Sequence, residues 1–359
     1  MFRLLDEYVL KRFILNLIIA VVTWIAIFLI VDIIENVSKF IDKKATFEQF
    51  AFYYIYYIPY IISLTLPVAM LLSTLFTLSS LAQHNEIVAQ LSAGISLYRI
   101  LVPVFVAAIF ISIGAGFFNE FVVPQSNQNR LDIMRYDVQK KTRPSQKSRS
   151  DIYVQDTAER TMNLKFFNGK DNQGRNVSIK TYDGSMIVER IDAEKIVWED
   201  SAWSLKNGKV RSFTEQEERF HYFEDSLISD SRIEPDELIL LQKQPEEMSF
   251  AELNTFINDL QAIGAKVKKW LVERHLKISM PFANFIVVLL GAPLASRKRR
   301  GGMGFNFGIS LLVSFVYFII IRTGQVFGHQ GTLEPLLAAW LGNLIFFTLG
   351  LYALLAVRK

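Results

Sequence analysis

Residues 79–99 read SSLAQHNEIVAQLSAGISLYR, a short polar interruption between two long apolar runs. The spacing predicts an amphipathic helix, with Ile87, Val88, Leu91 and Ile95 on one side and Gln83, Glu86 and Gln90 on the other. Gly94 stands where such a helix stops before Ser96 restarts the chain. On this reading the apolar side rests on the chain's own helices and the polar side is open to a partner. A solvated connector is the alternative.

The runs on either side decide what kind of chain this is. It is 51% hydrophobic with 29 Phe, and several runs exceed the roughly 20 residues that cross a ~30 Å hydrocarbon core. Six spans are expected, at 13–34, 52–78, 100–118, 278–294, 305–321 and 336–357. The opening MFRLLDEYVLKRF flows into the first of them without a small-residue cleavage site, so it reads as an uncleaved first helix. Arg3, Lys11 and Arg12 precede span one, a basic cluster at 297–300 follows span four, and Arg358 and Lys359 close the chain. An even number of spans puts all three groups on one side, the cytoplasm. Residues 79–99 are then cytoplasmic and the long polar block 125–277 is outside. Pro59 and Pro67 in span two predict a kink, as packing geometry or as a hinge.

The outer block has a different pattern. Short β-branched and aromatic segments recur from Ile152 to Phe223, about eight in all, and Asn168-Gly169 and Asn207-Gly208 are hairpin signals. A sandwich, jelly roll or open barrel follows. Ser249 and Glu252 make a capping-box pattern for a helix ending near Gly264, after which a second helix feeds span four. The expected organisation is three spans with the 79–99 helix (1–124), an all-β block (125–248), a helical connector (249–277) and three more spans (278–359).

Catalytic constellations are missing from the pattern. The four His lie in different regions, without metal-ligand spacing. No G-x-S-x-G, H-E-x-x-H or G-x-x-x-x-G-K-[ST] occurs, and the glycines at 301–304 read as a turn. Without Cys there is no disulfide or thiolate chemistry. The 39 basic residues are interleaved with 35 acids, so the charge makes no case for nucleic acid. The expected chain is non-catalytic, without cofactor or metal. Charged residues gather at the outer membrane boundary instead: Asp32, Glu35, Lys39, Lys43, Lys44, Glu120 and Arg322. They read as interfacial anchors or as a basic mouth for an anionic headgroup.

With these pieces in view, the chain resembles the lipopolysaccharide-export permeases of the YjgP/YjgQ type, LptF and LptG, over essentially its whole length. The matching segments are Leu5-Asp-Glu-Tyr8, Asn85-Glu-Ile-Val88 through Ser92-Ala-Gly94, Val123-Pro124-Gln125, Ser249 to Leu253, and His275 to Pro281 leading into Leu290-Gly-Ala-Pro293. The opening and the Ser-Ala-Gly helix resemble LptG more than LptF. The resemblance implies an α-helical membrane protein with six transmembrane helices and a periplasmic jelly-roll-like β domain between helices three and four. It further implies a heterodimer with an LptF-like paralogue, an LptB-like ATPase dimer docked on the 79–99 helix, and LptC-like and LptA-like bridge proteins. Glu86 matches the family's acidic docking residue, flanked by Gln83 and Gln90, and Lys39, Lys43, Lys44, Arg130, Arg135 and Arg322 are the candidate cations for lipid phosphates. Where a close relative carries a base at the outer end of span one, this chain has Asp32. The expected function is extraction of lipopolysaccharide from the outer leaflet of the inner membrane. An ion-coupled transporter of lipid-like substrates is the alternative, but the mid-span segments lack the paired acids it needs.

Overall fold

The computed structural model describes residues 4–139, 148–157, 159–169, 171–183, 186–199, 202–214, 217–228, 244–262, 267–296 and 303–356, with 231, 233, 235 and 238. Two compact units result. One comprises Met1–Lys140, Pro245–Phe250 and Lys268–Lys359, the other Lys141–Gln244 and Ala251–Val267. Arg3, the cluster at 297–300, Gly301, the helix stop at Gly264 and the last two basic residues lie outside the described residues.

The helical unit runs α1 (Leu4–Asp42), α2 (Phe47–Gln83), α3 (Glu86–Ser92), α4 (Leu97–Phe121) and α5 (Val123–Asp132), then wider π-type turns at Ile133–Val138. After the β unit come a short 3-10 turn (Pro245–Glu247), α7 (Lys268–Ala295), α8 (Met303–Gln330) and α9 (Pro335–Leu355), with α6 (Phe250–Ala262) before α7. Among the described residues, six helical stretches are long and apolar enough to cross a membrane: α1, α2, α4 with its continuation to Val138, α7, α8 and α9. The helices outrun the apolar spans because hydropathy marks only the lipid-crossing part, whereas caps set the ends. Thr46 and Gln49 form a reciprocal capping box on α2, and the Ser96 hydroxyl accepts from Arg99 N–H to start α4.

Burial orders the helices. In their most apolar windows α2 is 72% and α7 67% buried, against 11% for α1 and 28% for α8, so α2 and α7 form the centre. Phe13, Leu71, Leu75, Leu78, Ala283 and Val287 share that core. An added methyl at Gly291 of α7 would meet Leu71 Cδ1 at 2.5 Å, so the Leu71 side chain packs directly over the α7 backbone there. α2 stays one continuous helix through Pro59 and Pro67.

Residues 125–139 depart from expectation: they belong to the helical unit, and β1 begins only at Ser148. Pro124 opens α5, since proline is well suited to a first helical turn. Val138 then packs with Phe40, Tyr53 and Tyr54.

In the β unit, β1 (Ser148–Gln155), β2 (Arg160–Asn168), β3 (Gln173–Asp183), β4 (Met186–Glu199), β5 (Ala202–Thr214) and β6 (Glu217–Ile228) form one antiparallel sheet in sequence order. Asn168-Gly169 does turn between β2 and β3. Asn207-Gly208 does not: it lies inside β5, so several short segments merge into longer strands. The reason is visible in the burial pattern. Buried positions normally alternate, yet here they are three apart at Leu164 and Phe167, at Gly174 and Val177, and at Ala193 and Ile196. Pairing aligns these breaks across the sheet, with Leu164, Val177 and Ala193 on one side and Phe167, Gly174, Ile196 and Leu205 on the other. Asn176 and Asn207 sit in the break with φ of 52° and 54°. Asparagine tolerates this left-handed region, and one such residue flips the strand's facing by one position and bends it. Both sides of the crease therefore line a single core around the fully buried Trp203, whose indole donates to Ile233 O at 2.7 Å.

Candidate functional site

The 79–99 stretch is two elements rather than one helix. α2 ends at Gln83, Asn85 turns the chain with φ of 59°, and α3 occupies only Glu86–Ser92. Gly94, in the left-handed region with φ of 80°, ends α3, and Ile95 N–H returns to Gln90 O at 3.0 Å. The break changes which side faces out. Ile87 is buried and Ile95 packs on the core as expected, but Val88 and Leu91 are 51% and 40% exposed. Glu86 turns toward α1 instead, accepting from Tyr8 Oη at 3.2 Å and from Arg12 Nη1 at 3.3 Å. Gln90 is half-buried and Gln83 is exposed at the end of α2. A second clamp stands beside the first: Arg99 of α4 makes a two-point contact of 2.7 and 2.6 Å with the buried Asp6. The inward turn of Glu86 was not legible from helical spacing, although its partners Tyr8 and Arg12 lie in the charged opening that flanks span one.

The candidate cations stand in four different situations. Lys39, Lys43 and Lys44 are exposed where α1 ends, with Lys39 Nζ donating to Asn36 Oδ1 at 2.6 Å. Arg130 of α5 lies among three rings of α2, 4.2 Å from the centre of Tyr57, 5.6 Å from Tyr60 and 5.7 Å from Tyr53. Arg135 makes a two-point ion pair with Glu247 at 3.0 and 2.9 Å, and that carboxylate is 3% exposed. Arg322 is exposed on α8 and donates to Gln325 at 2.6 Å; Gln325 donates to Glu273, which also meets His329 at 2.8 Å. Sequence spacing could not find Glu247 or Glu273, because each meets its partners from a distant segment, whereas Gln325 lies one helical turn from Arg322.

Arg322 lies on the wall of a cavity of about 680 Å3 within the helical unit. Its apolar lining comes from α4 and α7, including Ile113, Phe117, Ile278 and Phe282, and its polar wall carries Tyr60, Asn119, Glu120, Glu246, Lys277 and Gln325. The arrangement offers apolar surface beside charges of both signs.

The family model described as "Lipopolysaccharide export system permease LptF/LptG" matches residues 7–356. The chain belongs to this family. Lipopolysaccharide export system permease protein LptG of Escherichia coli (strain K12) is 20% identical over 368 residues, covering 99% of this chain and 98% of the relative. The protein of the same name from Escherichia coli O6:H1 matches with the same identity and coverage. Membership in the LptF/LptG family, six apolar helices and the inserted sheet make this a multi-pass membrane permease of lipopolysaccharide export.

Proposed function

We propose that the chain is the permease subunit of an ATP-driven exporter that extracts lipopolysaccharide from the outer leaflet of the inner membrane and passes it to a periplasmic bridge. Both termini and α3 face the cytoplasm, and the β unit faces the periplasm. An LptB-like ATPase dimer supplies the energy, an LptF-like paralogue completes the permease, and LptC-like and LptA-like proteins receive the lipid. The observation that carries the energy-coupling part is α3 itself. It is a separate helix between α2 and α4, bounded by two left-handed residues and exposing Val88 and Leu91. Such a face fits a groove on a partner, with Glu86 holding α3 to α1 through Tyr8 and Arg12.

For the substrate, Arg322 and the exposed Lys39, Lys43 and Lys44 are the cations positioned for an anionic headgroup. Arg is the stronger of the two types where a bidentate contact with phosphate is made. Arg135 is committed to Glu247 and serves the fold, and Arg130 is held in its tyrosine cage. The test is Glu86→Lys, which sets a second cation against Arg12. The expected result is a membrane-inserted protein that no longer couples lipid release to ATP hydrolysis; normal ATPase binding and lipid release in this variant refute the docking assignment.

A further inference from the structure

The cavity beside Arg322 has features that the export reading does not use. It lies wholly within one chain, and its volume of about 680 Å3 falls in the ~300–1,000 Å3 of single-ligand pockets, too small for the many acyl chains of a lipopolysaccharide. Ile113, Phe117 and Phe121 of α4 and Ile278 and Phe282 of α7 are exposed on its apolar side. On its polar side the charges are mixed. Glu120 accepts from Phe250 N–H at 2.7 Å, Glu273 accepts from Gln325 and lies against His329, and Lys277 donates to Met248 O at 2.7 Å.

That leaves two charges of opposite sign. Arg322 is held only by the neutral amide of Gln325, and Glu246 is exposed, with no ion pair or side-chain hydrogen bond among the described residues. A purely anionic ligand would satisfy Arg322 but be repelled by Glu246. A ligand carrying a phosphate and an ammonium group answers both, and an acyl chain answers the apolar side.

We infer that this cavity holds a zwitterionic glycerophospholipid, its phosphate at Arg322, its ammonium at Glu246, and an acyl chain between α4 and α7. The occupant is a resident lipid of the bilayer, distinct from the exported one, and the two lipids use Arg322 in turn.

The test uses the delipidated full-length chain in detergent, offered phosphatidylethanolamine or phosphatidylglycerol without lipopolysaccharide or ATPase, with retained lipid read by native mass spectrometry. The expected result is preferential retention of phosphatidylethanolamine, a preference that Glu246→Lys reverses by about tenfold, the size of one charged hydrogen bond. Glu246 is exposed, so the variant keeps its fold, and Glu246→Gln should lose the preference without reversing it. Photoreactive groups at Phe117 or Phe282 should capture the acyl chain. Equal retention of the two lipids, an unchanged preference in Glu246→Lys, or no capture at Phe117 and Phe282 overturns the assignment. Because the export reading makes no use of Glu246, it survives such a failure.

Discussion

At the residue scale, the same side-chain type does different work according to what it meets. Arg135 and Arg322 are both cations toward the ends of helices, yet only the first faces a buried carboxylate. Removing one partner of a buried pair leaves an uncompensated charge and costs about 3–5 kcal/mol. Arg135→Ala should therefore lower the thermal stability of the full chain in detergent, whereas Arg322→Ala should leave it nearly unchanged. Equal melting temperatures for the two variants would contradict this division. In the β unit, burial raises the Asp192 carboxyl, but hydrogen bonds from Arg190 and the charges of Arg190 and Arg211 outweigh it and hold the group below the usual carboxylate range. A depressed folded pKa contributes stability above the unfolded pKa and loses it as pH falls through the folded value. Unfolding monitored between neutral and acid pH should show this loss, and Asp192→Asn should flatten that part of the profile.

At the scale of elements, left-handed residues such as Asn85, Asn176, Asn207 and Gly94 decide where helices and strands change direction. Asn207 holds φ at 54° inside β5. A β-branched residue there is forced into the left-handed region at a cost of about 1–2 kcal/mol, whereas glycine is not. Asn207→Val should lower the melting temperature and Asn207→Gly should preserve it; the opposite order would mean that the crease is not set by backbone conformation. On α3, the exposed pair Val88 and Leu91 replaces the polar side as the face open to a partner. Leu91→Asp should abolish copurification with the ATPase while leaving the permease folded, because its side chain adds little to the chain's own core.

At the scale of the whole molecule, the export reading requires lipid to pass from the helical unit to the β unit. Leu164 is 0% exposed within the core of the sheet, while Val188 is 36% exposed. A photoreactive group at Leu164 should capture lipopolysaccharide only during ATP hydrolysis, when the core opens. At Val188 capture should be weaker and indifferent to ATP. ATP-independent capture at Leu164 would show a permanently accessible interior. In the assembled complex, Arg322→Glu should abolish lipid stimulation of ATP hydrolysis while basal hydrolysis survives, and Arg322→Lys should retain part of it.

The six membrane helices, the inserted β block and the stop at Gly94 were legible in the sequence, because each rests on a local property: a long apolar run, β-branched segments between turns, or a glycine that alone adopts the required φ easily. Family membership followed from short motifs spread over the whole length. The sequence misplaced the start of the β block because Pro124 reads equally as an end and as a beginning of a helix. It misread Asn207-Gly208 because the left-handed conformation that makes a hairpin also makes a crease, and the neighbouring strands choose between them. The facing of α3 and the partners of Arg130 and Arg135 were decided by tertiary structure alone. Periodicity tells which residues share a side of a helix, but the side that is buried depends on segments tens to hundreds of residues away.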